Sequence, residues 1–255
     1  VWESLQIYLG TANRWIKNNF LGNELYNKYE ETPQEVKELL DAVVAFKAYY
    51  EAIPSLDLVL TSTGFGIVST TSIAPASRDR VLRLRSQVQD SMFNSLDELL
   101  NFFLNVEELR VLFEKGKPFK KLTDSLFITA IDLEIYAGIE GATRKNLYEN
   151  KAQIAEGELQ VQKRISVVYF NELIDKVRQN NLTREDENIL HQSKQLVGFY
   201  LTGQSAAFKT LAEHMVNTME AQANSYPTYL GSIEYKNKNA PGYENKKEDS
   251  TFIFG

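Results

Sequence analysis

Cysteine is absent from the 255 residues of this chain, and histidine occurs only twice. Without thiols, the chain can form no disulfide bond, no thiolate metal site and no cysteine nucleophile. No apolar run reaches the length of about 18 residues that a membrane-spanning helix needs, so we expect no membrane partner. The formal net charge of −6 argues against a surface that binds nucleic acid everywhere, although it is compatible with a local basic patch.

Signatures of cofactor and metal binding are missing as well. The segment GFG at residues 64–66 lacks the third glycine and the following helix of a dinucleotide site, and it is typical of a turn. His191 and His214 lie far apart in sequence without a matching acidic pattern, which favours ordinary helix histidines over metal ligands. The sequence therefore predicts neither a cofactor nor a metal.

Several acidic residues are adjacent in sequence, for example Asp97 with Glu98 and Glu107 with Glu108. A catalytic carboxylate needs a partner at a defined distance, and adjacent positions in a helix do not by themselves provide one. We interpret both pairs as solvated helix faces, and we expect no enzymatic activity.

Apolar residues recur at spacings of three and four over most of the chain, which predicts a mainly α-helical bundle. The first helix falls within residues 1–20. Thr32 is predicted to cap a second helix that ends at Ile53, because Pro54 follows it. A long helix is predicted to begin near residues 75–77.

The second half is less regular at its start. Residues 126–136 are rich in branched side chains and predict a short strand or an irregular segment, although a helix starting after Thr123 also fits. Residues 143–178 predict one long helix with a weak point at Gly157. Thr183 is predicted to cap a further helix that has an acidic first turn.

Composition and the positions of glycine and proline divide the chain into three regions. Aligning Thr32 with Thr183 pairs two further identical residues, which is compatible with a duplicated helical unit. Gly116 and Pro118 mark the boundary between the two copies. The predicted regions are an N-terminal helical unit with one protruding β-hairpin, a C-terminal helical unit and an extended C-terminal arm, at residues 1–116, 117–224 and 225–255.

The hairpin prediction rests on the stretch LDLVLTSTGFGIVS, residues 56–69, where branched apolar residues alternate on both sides of a small-residue turn. An isolated hairpin is only marginally stable in water, so it needs a packing partner. The apolar residues predicted to contact a neighbouring subunit are Leu58, Leu60, Phe65 and Ile67.

Four arginines follow at the start of the long helix: Arg78, Arg80, Arg83 and Arg85. The helix dipole disfavours positive charge there by a few tenths of a kcal/mol each, which a solvated face tolerates. The alternative is a set of guanidinium groups that bind carboxylates of another subunit or phosphates of passing nucleic acid. The acidic net charge favours carboxylate partners.

The last region combines two prolines, spaced aromatic residues and a charged run, and it has little capacity for a core of its own. Aromatic side chains are costly to leave in water, so this region is interpreted as an arm that docks on a neighbour. The aromatic residues predicted to dock are Tyr229, Tyr235, Tyr243, Phe252 and Phe254.

Residues 48–88 resemble a family of uncharacterised proteins from Bacteroidales phages and prophages that are encoded among virion structural genes. The resemblance rests on LDLVLT at residues 56–61, TGFGIVS at 63–69 and APAS at 74–77. It implies a head–tail connector, or adaptor, located in the neck of the virion after synthesis in the host cytoplasm. No catalytic residues are implied.

The same resemblance implies partners. It suggests a homo-oligomeric ring, a dodecamer in known adaptors, that contacts the portal protein above and tail or stopper proteins below, with passing contact to genomic DNA. Two alternatives stay open at this point. The chain could be another neck or tail-completion ring protein, or a helical module that binds nucleic acid through its arginines.

Overall fold

The computed structural model of this chain describes residues 2–56, 58–61, 64–67 and 77–240, with the backbone alone for residues 2–4 and the strands. These residues are mainly α-helical, as the apolar spacing predicts. They form two compact units, Val1–Ile154 and Ala155–Gly255, which we call unit 1 and unit 2.

Unit 1 is built around helix α3, which packs against both α1 and α4. A π-helical turn at Lys17–Leu21 joins α1 to α2. The core is aliphatic and aromatic, and Leu100 and Phe103 of α4 are fully buried in it. Its helices are α1 (Trp2–Ile16), α2 (Gly22–Asn27), α3 (Gln34–Ala52), α4 (Arg78–Asn105), α5 (Glu107–Glu114), α6 (Lys117–Leu122), α7 (Ala130–Ala137) and the first part of α8 (Arg144–Ile165).

The predicted boundary after Gly116 lies inside unit 1. The rings of Phe113 and Phe119, one on each side of Gly116, pack edge to face with centroids 5.3 Å apart. Gly116 also lies against Gly22, where a Cβ atom on Gly22 would come within 2.7 Å of the Gly116 Cα. The glycine therefore serves close backbone packing and does not mark a linker.

Gly22→Ala is expected to destabilise unit 1. Gly22 has φ 77° and ψ 174°, a conformation essentially restricted to glycine, so the torsional cost alone is about 1–3 kcal/mol. The contact with Gly116 adds to that cost. Gly10→Ala is the matched control, because Gly10 lies exposed in α1 and alanine there should stabilise by about 0.5–1 kcal/mol. Chemical denaturation measures both, and equal effects of the two substitutions would contradict the assignment.

The strand predicted within residues 126–136 is wrong, because the segment contains the start of α7. Thr129 is the N-cap of this helix, and Thr129 and Asp132 form a reciprocal capping box. The backbone N–H of Ile128 also donates to Asp132 Oδ2, at 3.0 Å. Branched side chains suggested a strand, but the local capping bonds favour a helix. The irregular alternative holds for the residues just before Thr129.

Two short backbone segments, β1 (Leu58–Thr61) and β2 (Gly64–Ile67), pair antiparallel with Leu58 opposite Ile67 and Leu60 opposite Phe65. Residues 57, 62–63 and 68–76, and the side chains of both strands, lie outside the described residues. The protruding hairpin and its apolar contacts therefore stay a prediction.

The described part of unit 2, up to residue 240, contains the remainder of α8 and five further α-helices, with α10 packed against α11 and α12 against α9. Its further helices are α9 (Val167–Gln179), α10 (Arg184–Leu201), α11 (Ser205–Ala221), α12 (Pro227–Gly231) and α13 (Ile233–Lys238).

The long helix predicted over residues 143–178 is in fact interrupted at Ser166. Ser166 has φ 78°, and its side chain accepts a hydrogen bond from the Tyr169 N–H at 3.2 Å, which caps α9. Gly157, the predicted weak point, lies within α8. A Cβ there would lie 3.2 Å from Val197, so this glycine permits close packing rather than ending the helix.

The two predicted threonine caps had different outcomes. Thr183 is the N-cap of α10, and its Oγ1 accepts a hydrogen bond from the Asp186 N–H at 3.1 Å, so this prediction is confirmed. Thr32 is not the N-cap of α3, because Pro33 holds that position. The Thr32 hydroxyl instead donates to the Tyr29 carbonyl oxygen at 2.7 Å.

Asp186 connects the α10 cap to α9. Its Oδ1 accepts from the Tyr169 hydroxyl at 3.1 Å and its Oδ2 from Lys176 Nζ at 2.9 Å. Burial opposes ionisation of this carboxyl, but the hydrogen bonds from Lys176 and Thr183 outweigh it and lower the Asp186 pKa. The acidic first turn predicted from sequence is thus partly an interior anchor.

The extended arm predicted over residues 225–255 is wrong for its first part. Tyr226 and Tyr229 are each 1% exposed, and α12 and α13 follow in regular form. Pro227, one of the two prolines in the predicted arm, lies at the first position of α12, where proline is favoured. Residues 241–255 lie outside the described residues.

Candidate assembly surface

The predicted arginines lie in the first turns of α4. Arg78, Arg80 and Arg83 are exposed, and none forms an ion pair with a described residue. Arg85 differs, because its guanidinium lies 4.4 Å from the centroid of the Tyr50 ring in α3. Three of the four arginines are thus available to a partner, while Arg85 stacks on its own unit.

Apolar side chains accompany these arginines. Leu82 is 50% exposed, whereas Leu100, about five helical turns further along the same face, is fully buried. The apolar face of α4 therefore continues beyond the part of the unit that covers it. Leu82 lines a cleft of about 500 Å³ together with Ile53 and Pro54 at the end of α3. We call Arg78–Leu84, with this cleft, the basic end of α4.

Of the predicted hairpin contacts, the structure gives backbone positions only. Leu58, Leu60, Phe65 and Ile67 occupy paired positions in β1 and β2, and their side chains lie outside the described residues. Tyr243, Phe252 and Phe254 also lie outside them.

The prediction that Tyr229 is an interface residue is wrong. Its side chain is buried in unit 2, and its hydroxyl donates to Glu220 Oε1 at 3.3 Å. Burial, followed by the nearby Glu220 carboxylate, raises the Tyr229 pKa. The Tyr235 ring packs edge to face on it, with centroids 5.3 Å apart. Both tyrosines are therefore engaged within their own unit.

A second apolar cleft lies between the start of α3 and α5, and no sequence pattern marked it. It has a volume of about 730 Å³ and is lined by Pro33, Val106, Val111 and Leu112. Val111 is 45% exposed. We call this region the α3–α5 cleft. It could not be found from sequence because its two walls are more than 70 residues apart.

Glu107 and Glu108 line the α3–α5 cleft. Both are exposed, as predicted, and neither forms an ion pair with a described residue. They lie in the first turn of α5, where the helix dipole stabilises negative charge. The cleft therefore combines an apolar floor with an acidic margin.

For the other acidic pair, Asp97 and Glu98, the predicted solvated face holds for only one of the two residues. Glu98 is exposed, but Asp97 is only 14% exposed and forms an ion pair with Arg144, whose side chain is 4% exposed. The second Asp97 oxygen accepts the Ala130 N–H, and Arg144 Nε donates to the Tyr148 hydroxyl at 3.2 Å. The pair joins α4, α7 and α8, which assigns it to the fold of unit 1.

A smaller cleft of about 320 Å³ lies beside the π-helical turn. There the Tyr29 hydroxyl donates to Asp41 Oδ1 at 2.8 Å. Burial and then this hydrogen bond raise the Tyr29 pKa to about 12. Lys37 Nζ lies 5.7 Å from the Tyr29 ring centroid, so the chain's own cation occupies that aromatic face.

Metal binding and membrane insertion find no support in the described part of the chain. Among those residues, no three histidine, cysteine, aspartate or glutamate side chains are placed to hold a metal ion. His191 and His214 lie on α10 and α11, respectively. None of the described helices is both long and apolar enough to cross a membrane.

Comparison with known proteins gives one match. No curated protein and no solved structure matches the chain significantly. Residues 5–109 match the model of a family of unknown function (DUF6712). The matched part contains both the basic end of α4 and the two glutamates of the α3–α5 cleft, and on this evidence the N-terminal part of the chain is similar to that family.

Proposed function

We propose that this protein is a structural subunit that assembles into a ring, and specifically a phage head–tail connector or adaptor. The observation that carries this proposal is the basic end of α4. There, Leu82 lies half-exposed on the same face of α4 as the buried Leu100, and Arg78 lines the same cleft. Arg80 and Arg83 are exposed on the same turns, and none of the three arginines has an ion-pair partner among the described residues. An exposed apolar residue with arginines beside it is typical of a protein contact.

The resemblance of residues 48–88 to phage virion proteins suggests that the assembly belongs to a phage particle. The basic end and the paired strands β1 and β2 both fall within or beside that stretch. A connector subunit needs a rigid helical body and an edge that a neighbour covers. The buried core of unit 1 provides the first, and the basic end of α4 provides an uncovered surface.

A second candidate is a helical module that binds nucleic acid, because the same three arginines are exposed and close together. Binding of that kind depends on phosphate contacts and weakens steeply with salt. The exposed leucines argue for a protein partner, since an apolar side chain gains little from a phosphate backbone.

Reversing three charges tests the proposal. The triple variant Arg78→Glu, Arg80→Glu, Arg83→Glu should weaken self-association by roughly tenfold or more, because unpaired cations would become anions facing an acidic partner. Sedimentation velocity over a concentration series measures the association. Lys115→Glu, Lys117→Glu, Lys121→Glu is the matched control, because these lysines are exposed in the same unit.

Two results would count against the proposal. If the wild-type chain stays monomeric at every concentration and no collar of it is seen at the portal vertex of particles, the connector assignment is lost. If the triple variant associates normally but no longer shifts duplex DNA at low salt, the nucleic-acid module is the better assignment.

A further inference from the structure

We infer that the basic end of α4 in one copy docks into the α3–α5 cleft of the next copy. This inference rests on the proposed function, and it names the surface that the ring subunit presents to its neighbour. The contact places Leu82 over the apolar floor of the cleft, with Arg78 and Arg83 beside Glu107 and Glu108.

The two surfaces lie at opposite ends of one helix. Helix α4 has 28 residues, so its ends are about 40 Å apart. The basic end occupies its first turns, and the cleft follows directly on its last residue, Asn105, at Val106. One copy therefore cannot dock its basic end into its own cleft, so a contact between these two surfaces requires a second copy.

The chemistry of the two surfaces is complementary. The segment 78–85 carries four arginines against one aspartate. In the cleft, Glu107 and Glu108 are exposed and unpaired among the described residues, while the third acid, Glu31, forms an ion pair with Lys28. Arginine is the cation best suited to such a contact, because its guanidinium binds carboxylates through two parallel hydrogen bonds.

The apolar parts match as well. Leu82 projects from the uncovered face of α4, and Val111 is exposed at the cleft. A contact that buries Leu82 and Val111 together removes both exposed side chains from water. The polar groups then lie around an apolar centre, as in other specific interfaces.

A head-to-tail contact follows from these positions. Two basic ends facing each other would repel, and so would two acidic margins. A contact between unlike surfaces leaves one free surface of each kind on every dimer, so addition continues until a ring closes. This is the arrangement that a connector ring requires.

Paired cysteines test the contact directly, because the chain contains no other thiol. In the full chain, the double variant Leu82→Cys, Val111→Cys is treated with a short bismaleimide linker and examined by denaturing electrophoresis. Most of the length of α4, roughly 30 Å, separates the two positions in one copy, which is beyond the reach of the linker, so any product must join two copies. We expect a ladder of dimers, trimers and larger species.

The control is Leu82→Cys, Ile135→Cys. Ile135 is 62% exposed on α7 of the same unit, outside both surfaces. It should give at most a faint dimer. A ladder of equal strength from both variants would overturn the inference, and so would a Leu82→Cys single variant that yields dimers as efficiently, since that indicates two like ends in contact.

Charge exchange provides a second, independent measurement. Arg78→Glu, Arg83→Glu should weaken self-association by roughly tenfold, and Glu107→Arg, Glu108→Arg should do the same. The fourfold variant carries both exchanges in one chain, so every contact regains opposite charges. We expect it to associate within about threefold of the wild type. Additive weakening in the fourfold variant would overturn the contact.

These outcomes separate the inference from the proposed function. If the wild-type chain forms rings but the cysteine ladder and the charge rescue are both absent, the docking site is wrong and the ring assignment stands. If no self-association is found by sedimentation or cross-linking, and particles carry no collar of this chain, both are lost.

Discussion

Arg144→Met is expected to lower the free energy of unfolding of unit 1 by about 3–5 kcal/mol, the usual cost of removing one partner from a buried ion pair. The substitution keeps an unbranched side chain of similar reach but leaves Asp97, which is only 14% exposed, without its cation. The contact of the guanidinium with the Phe20 ring, at 5.8 Å from the centroid, is lost as well. Thermal unfolding should show a fall of about 10 °C.

Two controls show whether the ion pair is the cause. In Asp97→Asn, Arg144→Met the uncompensated charge is removed while an oxygen remains to accept the Ala130 N–H, so this double variant should be more stable than Arg144→Met alone. Lys28→Met breaks the exposed pair with Glu31 and should cost less than about 1 kcal/mol. Equal losses in Lys28→Met and Arg144→Met would contradict the structural role of the buried pair.

Tyr229→Ala is expected to destabilise unit 2 by about 3–5 kcal/mol, because it opens a cavity where a fully buried ring packs on Tyr235. Hydrogen exchange is the suitable measurement, since it resolves the amides of α9 and α12, which pack together, from those of unit 1. Protection of these amides should fall while protection in α3 and α4 stays unchanged.

Tyr229→Phe separates the ring from its hydroxyl. It keeps the packing and loses only the hydrogen bond to Glu220, so a cost of about 1 kcal/mol is expected. An unchanged exchange pattern in Tyr229→Ala would restore the view of this residue as part of a docking arm and contradict its burial within unit 2.

The sequence was sufficient where local chemistry decides the structure. The cap at Thr183 and the limit of α3 near Pro54 depend on residues within one or two turns, and both agree with the structure. The apolar spacing likewise placed α4 within a few residues of its start. Such features need no knowledge of distant contacts.

Distant contacts account for the predictions that failed. Asp97 has the sequence environment of a solvated carboxylate, and only the fold brings Arg144, 47 residues away, against it. Gly116 has the appearance of a linker residue until Gly22 is placed against it. Tyr226 and Tyr229 lie on either side of Pro227 after a polar run, and no local pattern indicates that their helix packs against α9.

The candidate surface was predicted in part. The four arginines were recognised from sequence alone, and three of them are exposed without a partner among the described residues. The α3–α5 cleft was missed, since Pro33 and Val111 contribute to one surface only after α3 and α5 are placed side by side. One side of the proposed contact can therefore be predicted from the sequence pattern, and the other side requires the fold.

The length of α4 fixes a dimension of the proposed assembly. If the basic end of each copy docks into the cleft of the next, and α4 lies along the circumference of the ring, neighbouring copies repeat about every 40 Å. The diameter then grows by about 13 Å for each copy added, so a collar of twelve would measure roughly 150 Å across. Copy number thus becomes a quantity that can be read from the width of the collar in a projection image.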